Sequence, residues 1–183
     1  QYNDSISHLN VSEVEVFWRD EREGMSSHTF RQAVPEDLPV IISLLADDEL
    51  GSVREKVTIP PDEVYQQAFR AIMDDPNQLL AVADLEGAVE GCLQLSFIPG
   101  LSRMGMWRGQ IESVRIASAS RGSHLGTKFL QWAITQCKDR KCGLVQLTSD
   151  NARLDAIRFY ESLGFENSHS GMKKILSYEG DAS

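Results

Sequence analysis

A stretch of this chain between Val114 and Thr127 carries the residue types that hold a phosphate. The apolar run Val114-Arg115-Ile116 gives way to a short polar turn. Arg121, Gly122, Ser123, His124, Leu125, Gly126 and Thr127 follow and open a segment with one apolar face. A strand that feeds through a glycine-bearing turn into a helix N-terminus makes an anion site. The first backbone N–H groups of a helix lack internal partners, and the helix dipole favours negative charge there. A phosphate-bearing ligand is therefore expected over residues 121–127. Backbone N–H groups do most of that work, so side-chain identity matters mainly through steric room. His124 has three readings: it crowds the phosphate, adds a hydrogen bond from its ring, or points to solvent.

The same stretch resembles the GNAT acetyltransferase superfamily, which moves an acetyl group from acetyl-coenzyme A to an amine. The family signature is an Arg or Gln, two residues, a Gly, one residue, then Gly or Ala. This chain reads Arg121-Gly122-Ser123-His124-Leu125-Gly126, with His124 in place of the middle glycine. Downstream, Ala156-Ile157-Arg158-Phe159-Tyr160-Glu161-Ser162-Leu163-Gly164-Phe165 is similar to the family's last helix and the strand entry after it. The two blocks in this order, separated by one helix and one strand, carry the resemblance, which covers roughly residues 29–176.

The resemblance implies an α/β fold of the α+β type, with a mixed central sheet of about seven strands flanked by four helices. It implies acetyl-coenzyme A as acetyl donor and a small-molecule primary amine as acceptor, attacking directly in a ternary complex. The pantetheine arm would add to the edge of the strand Ser113-Val114-Arg115-Ile116 as an extra strand does. A backbone N–H near Val114 would face the thioester oxygen. Tyr160 takes the position of a tyrosine that lies near the cofactor sulfur, where a phenol can return a proton to a thiolate; the alternative is an aromatic anchor. The family often carries Asn where this chain has Arg153, while Asn151 lies two residues earlier. Either side chain is a candidate for the cofactor arm. Glu112 is the candidate base: it shares strand parity with Val114 and Ile116, and Glu is depleted in strands. Its alternative is a salt bridge to Arg108 or Arg115.

The rest of the chain is organised to hold these groups. Residues 1–27 form a polar extension without a clean period, read as upstream or cloning-derived because Met25 would serve as a start; residues 28–180 form the acetyltransferase domain. Val14, Val16, Phe17 and Trp18 are candidates for packing on the domain or on a neighbouring chain, which admits a homodimer. Periodicity predicts a strand over 29–34, a helix from Pro35 carrying Leu38, Ile41, Ile42 and Leu45, and a helix capped by Asp62 carrying Tyr65, Phe69 and Ile72. Strands over 79–85 and 88–98 meet across Glu86-Gly87, a hairpin signal. A strand over 107–117 leads into the glycine turn. The helix after it buries Leu125, Phe129, Trp132, Ala133 and Cys137. A strand over 144–148, a helix over 151–163 and a last strand over 172–176 complete the order. The loop Pro99-Gly100-Leu101-Ser102-Arg103 and the acidic stretch Asp47-Asp48-Glu49 border the expected acceptor site.

Composition excludes other classes. A formal net charge of −9 in 183 residues argues against a nucleic-acid partner, because phosphate backbones are bound by basic surfaces. The acids of the first half either solvate helices or form a negative rim that draws in a cationic amine. No apolar run approaches a membrane span. Cys92, Cys137 and Cys142 form no metal-ligand pattern and read as reduced thiols of a cytoplasmic protein. No metal site is expected. A phosphate-loop hydrolase lacks its Gly-Lys-Ser/Thr ending here. A coenzyme A-binding regulatory module without turnover remains the rival, favoured by His124 and opposed by Tyr160 and Glu112.

Overall fold

The structure is a computed structural model and describes residues 28–47 and 51–176. The N-terminal extension with Val14, Val16, Phe17 and Trp18 lies outside the described residues, as do Asp48 and Glu49. The chain divides into two compact units, the first ending at Leu147 and the second beginning at Thr148.

The first unit is built on a five-stranded sheet in the order β1 (Thr29–Gln32), β2 (Gln78–Leu85), β3 (Ala88–Ile98), β4 (Arg108–Ile116) and β5 (Leu144–Leu147). The first four strands run antiparallel to their neighbours, and β5 lies parallel to β4. Helices α1 (Leu38–Ala46) and α2 (Glu63–Asp74) follow β1; a single turn, α3 (Ser102–Gly105), sits between β3 and β4; α4 (Leu125–Asp139) connects β4 to β5. The second unit carries α5 (Leu154–Ser162).

The sheet has five strands among the described residues, fewer than the seven or so expected. The predicted strand over 172–176 is irregular chain, with Met172 and Ile175 each 94% exposed. A strand exists only where its N–H and C=O groups find a neighbouring ladder, and this segment finds none among the described residues.

Strand alternation sorts the core into two faces. On one, Phe30 stacks on Phe129 at 5.0 Å between ring centroids, and Trp132 closes the cluster at 6.0 Å from Phe30. Leu93, Leu95 and Ile111 are fully buried. On the other, α1 and α2 bring Ile41, Leu44 and Phe69 onto Ala33, Leu80, Val82 and Cys92. Each large apolar side chain so buried stabilises the fold by about 1.5–3 kcal/mol. The β2–β3 turn is the predicted two-residue hairpin: Leu85 pairs with Ala88, Glu86 and Gly87 have φ of 52° and 90°, and Asp84 Oδ1 accepts from the Gly87 N–H at 2.7 Å.

Two irregularities shape the outer end of β4. Glu112 stands opposite Gln94 and Arg115 opposite Cys92, so Ser113 and Val114 together face the single residue Leu93. This is a β-bulge, with Ser113 in the left-handed region at φ 55°. Pairing between β4 and β5 ends at Ile111 and Leu147, which leaves the outer edge of residues 112–116 without a strand partner among the described residues.

Candidate active site

The glycine turn forms where β4 ends. Ala117 donates its N–H to Glu90 O at 2.8 Å, and the 3-10 turn Ser118–Ser120 follows. Ser120 Oγ donates to the Glu90 carboxylate at 2.8 Å, and His28 Nε2 lies 2.7 Å from the same oxygen. The hydrogen bonds from His28 and Ser120 hold the Glu90 carboxyl below its ordinary range. Arg121 donates from Nε to Ile116 O at 3.1 Å and from Nη2 to the Asp47 carboxylate at 2.8 Å, tying the end of α1 to the turn. Asp47 thus serves the turn directly. Glu90 and Asp47 are positioning residues that sequence reasoning missed as such. Glu90 is 30 residues from Ser120, and no local pattern marks it.

From Gly122 to Thr127, none of the backbone N–H groups donates a hydrogen bond within the described residues; the first intrahelical donor is Lys128, to His124 O at 3.1 Å. These donors line the start of α4, where the dipole is positive. Gly122 has φ 81°, and His124, the residue before the helix, has φ 61° and ψ 6°. The turn therefore requires a left-handed residue at position 124, which explains why a glycine suits it and why histidine is strained there. The His124 side chain is exposed and makes no capping hydrogen bond. Leu125 is 2% exposed, so its side chain belongs to the core and only its N–H faces the turn. Ser123 Oγ is committed to Ser120 O at 2.6 Å.

Val114, Arg115 and Ile116 are half-buried on the outer edge of β4, and the Arg115 guanidinium donates to Val114 O at 2.9 Å. Glu112 is exposed and makes neither ion pair nor hydrogen bond with any described residue, so the alternative of a salt bridge to Arg108 or Arg115 is not realised. Its expected parity with Val114 and Ile116 is corrected by the bulge. Glu112 faces the way Gln94 does, and Ile116, opposite Gly91, faces the other way. The extra residue at Ser113 inverts the alternation beyond it.

The second unit presents the remaining candidates. Tyr160 is half-buried on α5, with its ring 5.5 Å from Phe159 and 6.1 Å, edge-on, from Phe165. Phe165 donates its N–H to Tyr160 O at 3.1 Å, closing the helix end around Gly164 at φ 87°. Asn151 and Arg153 are exposed in a turn ordered by Asp150, whose carboxylate accepts from the Ala152 N–H at 2.9 Å. Arg158 is hydrogen-bonded to Asp155. Among the described residues no cluster of His, Cys, Asp or Glu could hold a metal ion, and no helix is long and apolar enough to cross a membrane.

A mixed sheet, a β4 end without a strand partner and a row of N–H groups at α4, both unengaged among the described residues, could take an extended, phosphate-bearing ligand. Residues 41–165 match the acetyltransferase (GNAT) family, and the chain belongs to that family. Acetyl-coenzyme A is its acetyl donor, and the chain is an N-acetyltransferase. It is similar to the aminoalkylphosphonate N-acetyltransferase of Salmonella typhimurium, at 27% identity over 88% of this chain and 99% of that one. A solved structure from Bacillus halodurans, described as a transcriptional regulator, is 44% identical with a TM-score of 0.80, covering 81% of this chain and 99% of that one. Glucosamine-6-phosphate N-acetyltransferase from Arabidopsis thaliana shares the fold at 23% identity and TM-score 0.69, covering 82% and 99%.

Proposed function

We propose that this protein acetylates the primary amine of a small molecule by direct attack in a ternary complex. The observation that carries the reading is Glu112: an unpaired carboxylate on β4, one residue past the last β4–β5 pair and adjacent to the bulge. Acetyl-coenzyme A supplies the activated acetyl group. The N–H groups of residues 122–127 hold its pyrophosphate, and the outer edge of β4 at Val114, Arg115 and Ile116 hydrogen-bonds its amide arm. Asn151 and Arg153 are proposed as further cofactor contacts. Glu112 accepts a proton from the acceptor ammonium, directly or through water, so that a neutral nitrogen attacks. Tyr160 Oη gives a proton to the departing sulfur. The three cysteines are free, in keeping with a cytoplasmic setting.

The related aminoalkylphosphonate N-acetyltransferase carries an amine that also bears an anion in its name. An amine panel incubated with acetyl-coenzyme A, read by free thiol release, tests the activity. Amine-dependent release that falls in Glu112→Gln and Tyr160→Phe is expected. The 44%-identical relative is described as a transcriptional regulator. Tight cofactor binding with no thiol release across the panel would count against a small-molecule acceptor.

A further inference from the structure

Arg108 opens β4 on the same face as Glu112, two pleats away, with Gln110 between them. It is half-buried, and no described residue supplies it with a counter-ion or a hydrogen-bond acceptor. Its guanidinium nitrogens are not among the buried polar atoms left without a partner, so its five donors stand open to solvent or to a ligand. The chain holds 27 acidic residues against 18 basic ones, yet none of the described acids pairs with it. Another half-buried strand arginine shows the alternative: Arg31 is clamped by Asp37 at 2.7 Å and Asp84 at 2.7 Å.

Around Arg108 the face is uncharged. The apolar cluster under α1 and α2 ends at Leu80 and Cys92, and the next residues on that face are Gln78 and Gln94. Gln78 Oε1 accepts from Gln94 Nε2 at 3.0 Å and from Ser96 Oγ at 2.7 Å; Gln110 Oε1 accepts from Gln146 Nε2 at 2.7 Å. These amides orient one another and leave a polarity across the face. At one end Glu112 and the directly opposed Gln94, whose Oε1 is unengaged, offer acceptors. At the other end Arg108 offers only donors. The two Cα positions are about 13 Å apart along the strand, less the reach of both side chains.

We infer that the acceptor is a short zwitterion, a primary amine carrying an oxyanion, with its nitrogen at Glu112 and its anion on Arg108. This rests on the reading of Glu112 as the amine end and extends it to substrate class. Arg108 is then a specificity-determining residue, and the glutamine row fills the gap with neutral donors that neither repel the anion nor compete for it.

The test compares phosphoethanolamine and β-alanine with ethanolamine in the acetyl-coenzyme A assay. The first two distinguish phosphate from carboxylate, and ethanolamine lacks the anion. An unpaired partner in a polar site rejects the analogue that leaves it unpaired, so kcat/KM should favour at least one anionic amine by on the order of 10²-fold. Arg108→Gln should collapse that preference through KM, and Arg108→Lys should restore part of it. Calorimetric binding of the anionic amines to the coenzyme A complex gives a readout without turnover, and Arg108→Gln should abolish it. No preference in the wild type, or an undiminished preference in Arg108→Gln, overturns the inference while leaving amine acetylation intact. Absence of acetylation of every amine, with Arg108-dependent binding retained, would instead count against the proposed activity.

Discussion

Gly109 of β4 is packed directly beneath the Cys137 sulfur of α4: a methyl group on Gly109 would overlap Sγ and come within 3.3 Å of Cys137 Cβ. The absence of a side chain at position 109 is what lets α4, and with it the glycine turn at its N-terminus, sit close against the strand that carries Glu112. Gly109→Ala should destabilise the fold by about 1–3 kcal/mol through overpacking. Cys137→Ala should leave a small cavity, and the double variant should lose less than the sum of the two. Urea midpoints of the four proteins test this coupling; simple additivity would mean that the backbone relaxes around the added methyl.

The left-handed backbone at position 124 separates conformation from ligand binding. His124→Gly should raise stability by about 0.5–1 kcal/mol, as relief of the strained backbone outweighs the added freedom of the unfolded chain. The rise in Tm on adding acetyl-coenzyme A should persist in this variant. Gly126→Asp should abolish that rise by setting a carboxylate among the free N–H groups. An unchanged ligand shift in a folded Gly126→Asp protein would move the pyrophosphate elsewhere.

Tyr160→Phe keeps the packing on Phe159 and Phe165 and removes only the hydroxyl. Turnover should fall by roughly 10²-fold or more with little change in cofactor affinity. Glu112→Gln should depress the rate most at lower pH, where the acceptor is largely an ammonium ion and a base is needed. The pH–rate profile of each variant with an acetylated amine is the measurement, and wild-type profiles in both would remove the catalytic roles proposed for them.

Asp37 links pH to stability. Burial raises its carboxyl, but the hydrogen bonds from Arg31 and the Val34 N–H outweigh that and hold it below the ordinary 3.8. A carboxyl depressed in the folded state stabilises fully above its unfolded pKa, and the contribution is lost as pH falls through the lower folded value. Asp37→Asn should therefore cost roughly 1.5–3 kcal/mol near neutrality, the range for hydrogen bonds to a charged group. The gap between wild type and variant should narrow as pH drops below about 4, the ordinary carboxyl range. Denaturant midpoints across pH report it, and a constant gap would show that the ion pair contributes no titrating stability.

Local chemistry was legible from residues alone. Leu125, Phe129, Trp132, Ala133 and Cys137 announce α4 because helical spacing needs no distant partner to be visible, and Glu86-Gly87 announces the hairpin because two residues with positive φ are a local requirement. The glycine turn is likewise a short-range object, a strand end and a helix start joined by permissive residues. The tertiary structure decided what depends on pairing. One extra residue at Ser113 sets Glu112 and Ile116 on opposite faces, a shift that strict alternation in the sequence cannot reveal. Among the described residues, pairing that stops at Ile111 leaves the outer edge of β4 beyond it without a strand partner, and the segment after Gly164 finds no ladder that would make it a strand. Glu90 reaches Ser120, and Arg31 finds Asp84 while Arg108 finds no acid among the described residues, only because strands distant in sequence lie side by side. Hydrogen-bond register and charge pairing are properties of neighbouring strands, and those neighbours are set by the fold as a whole.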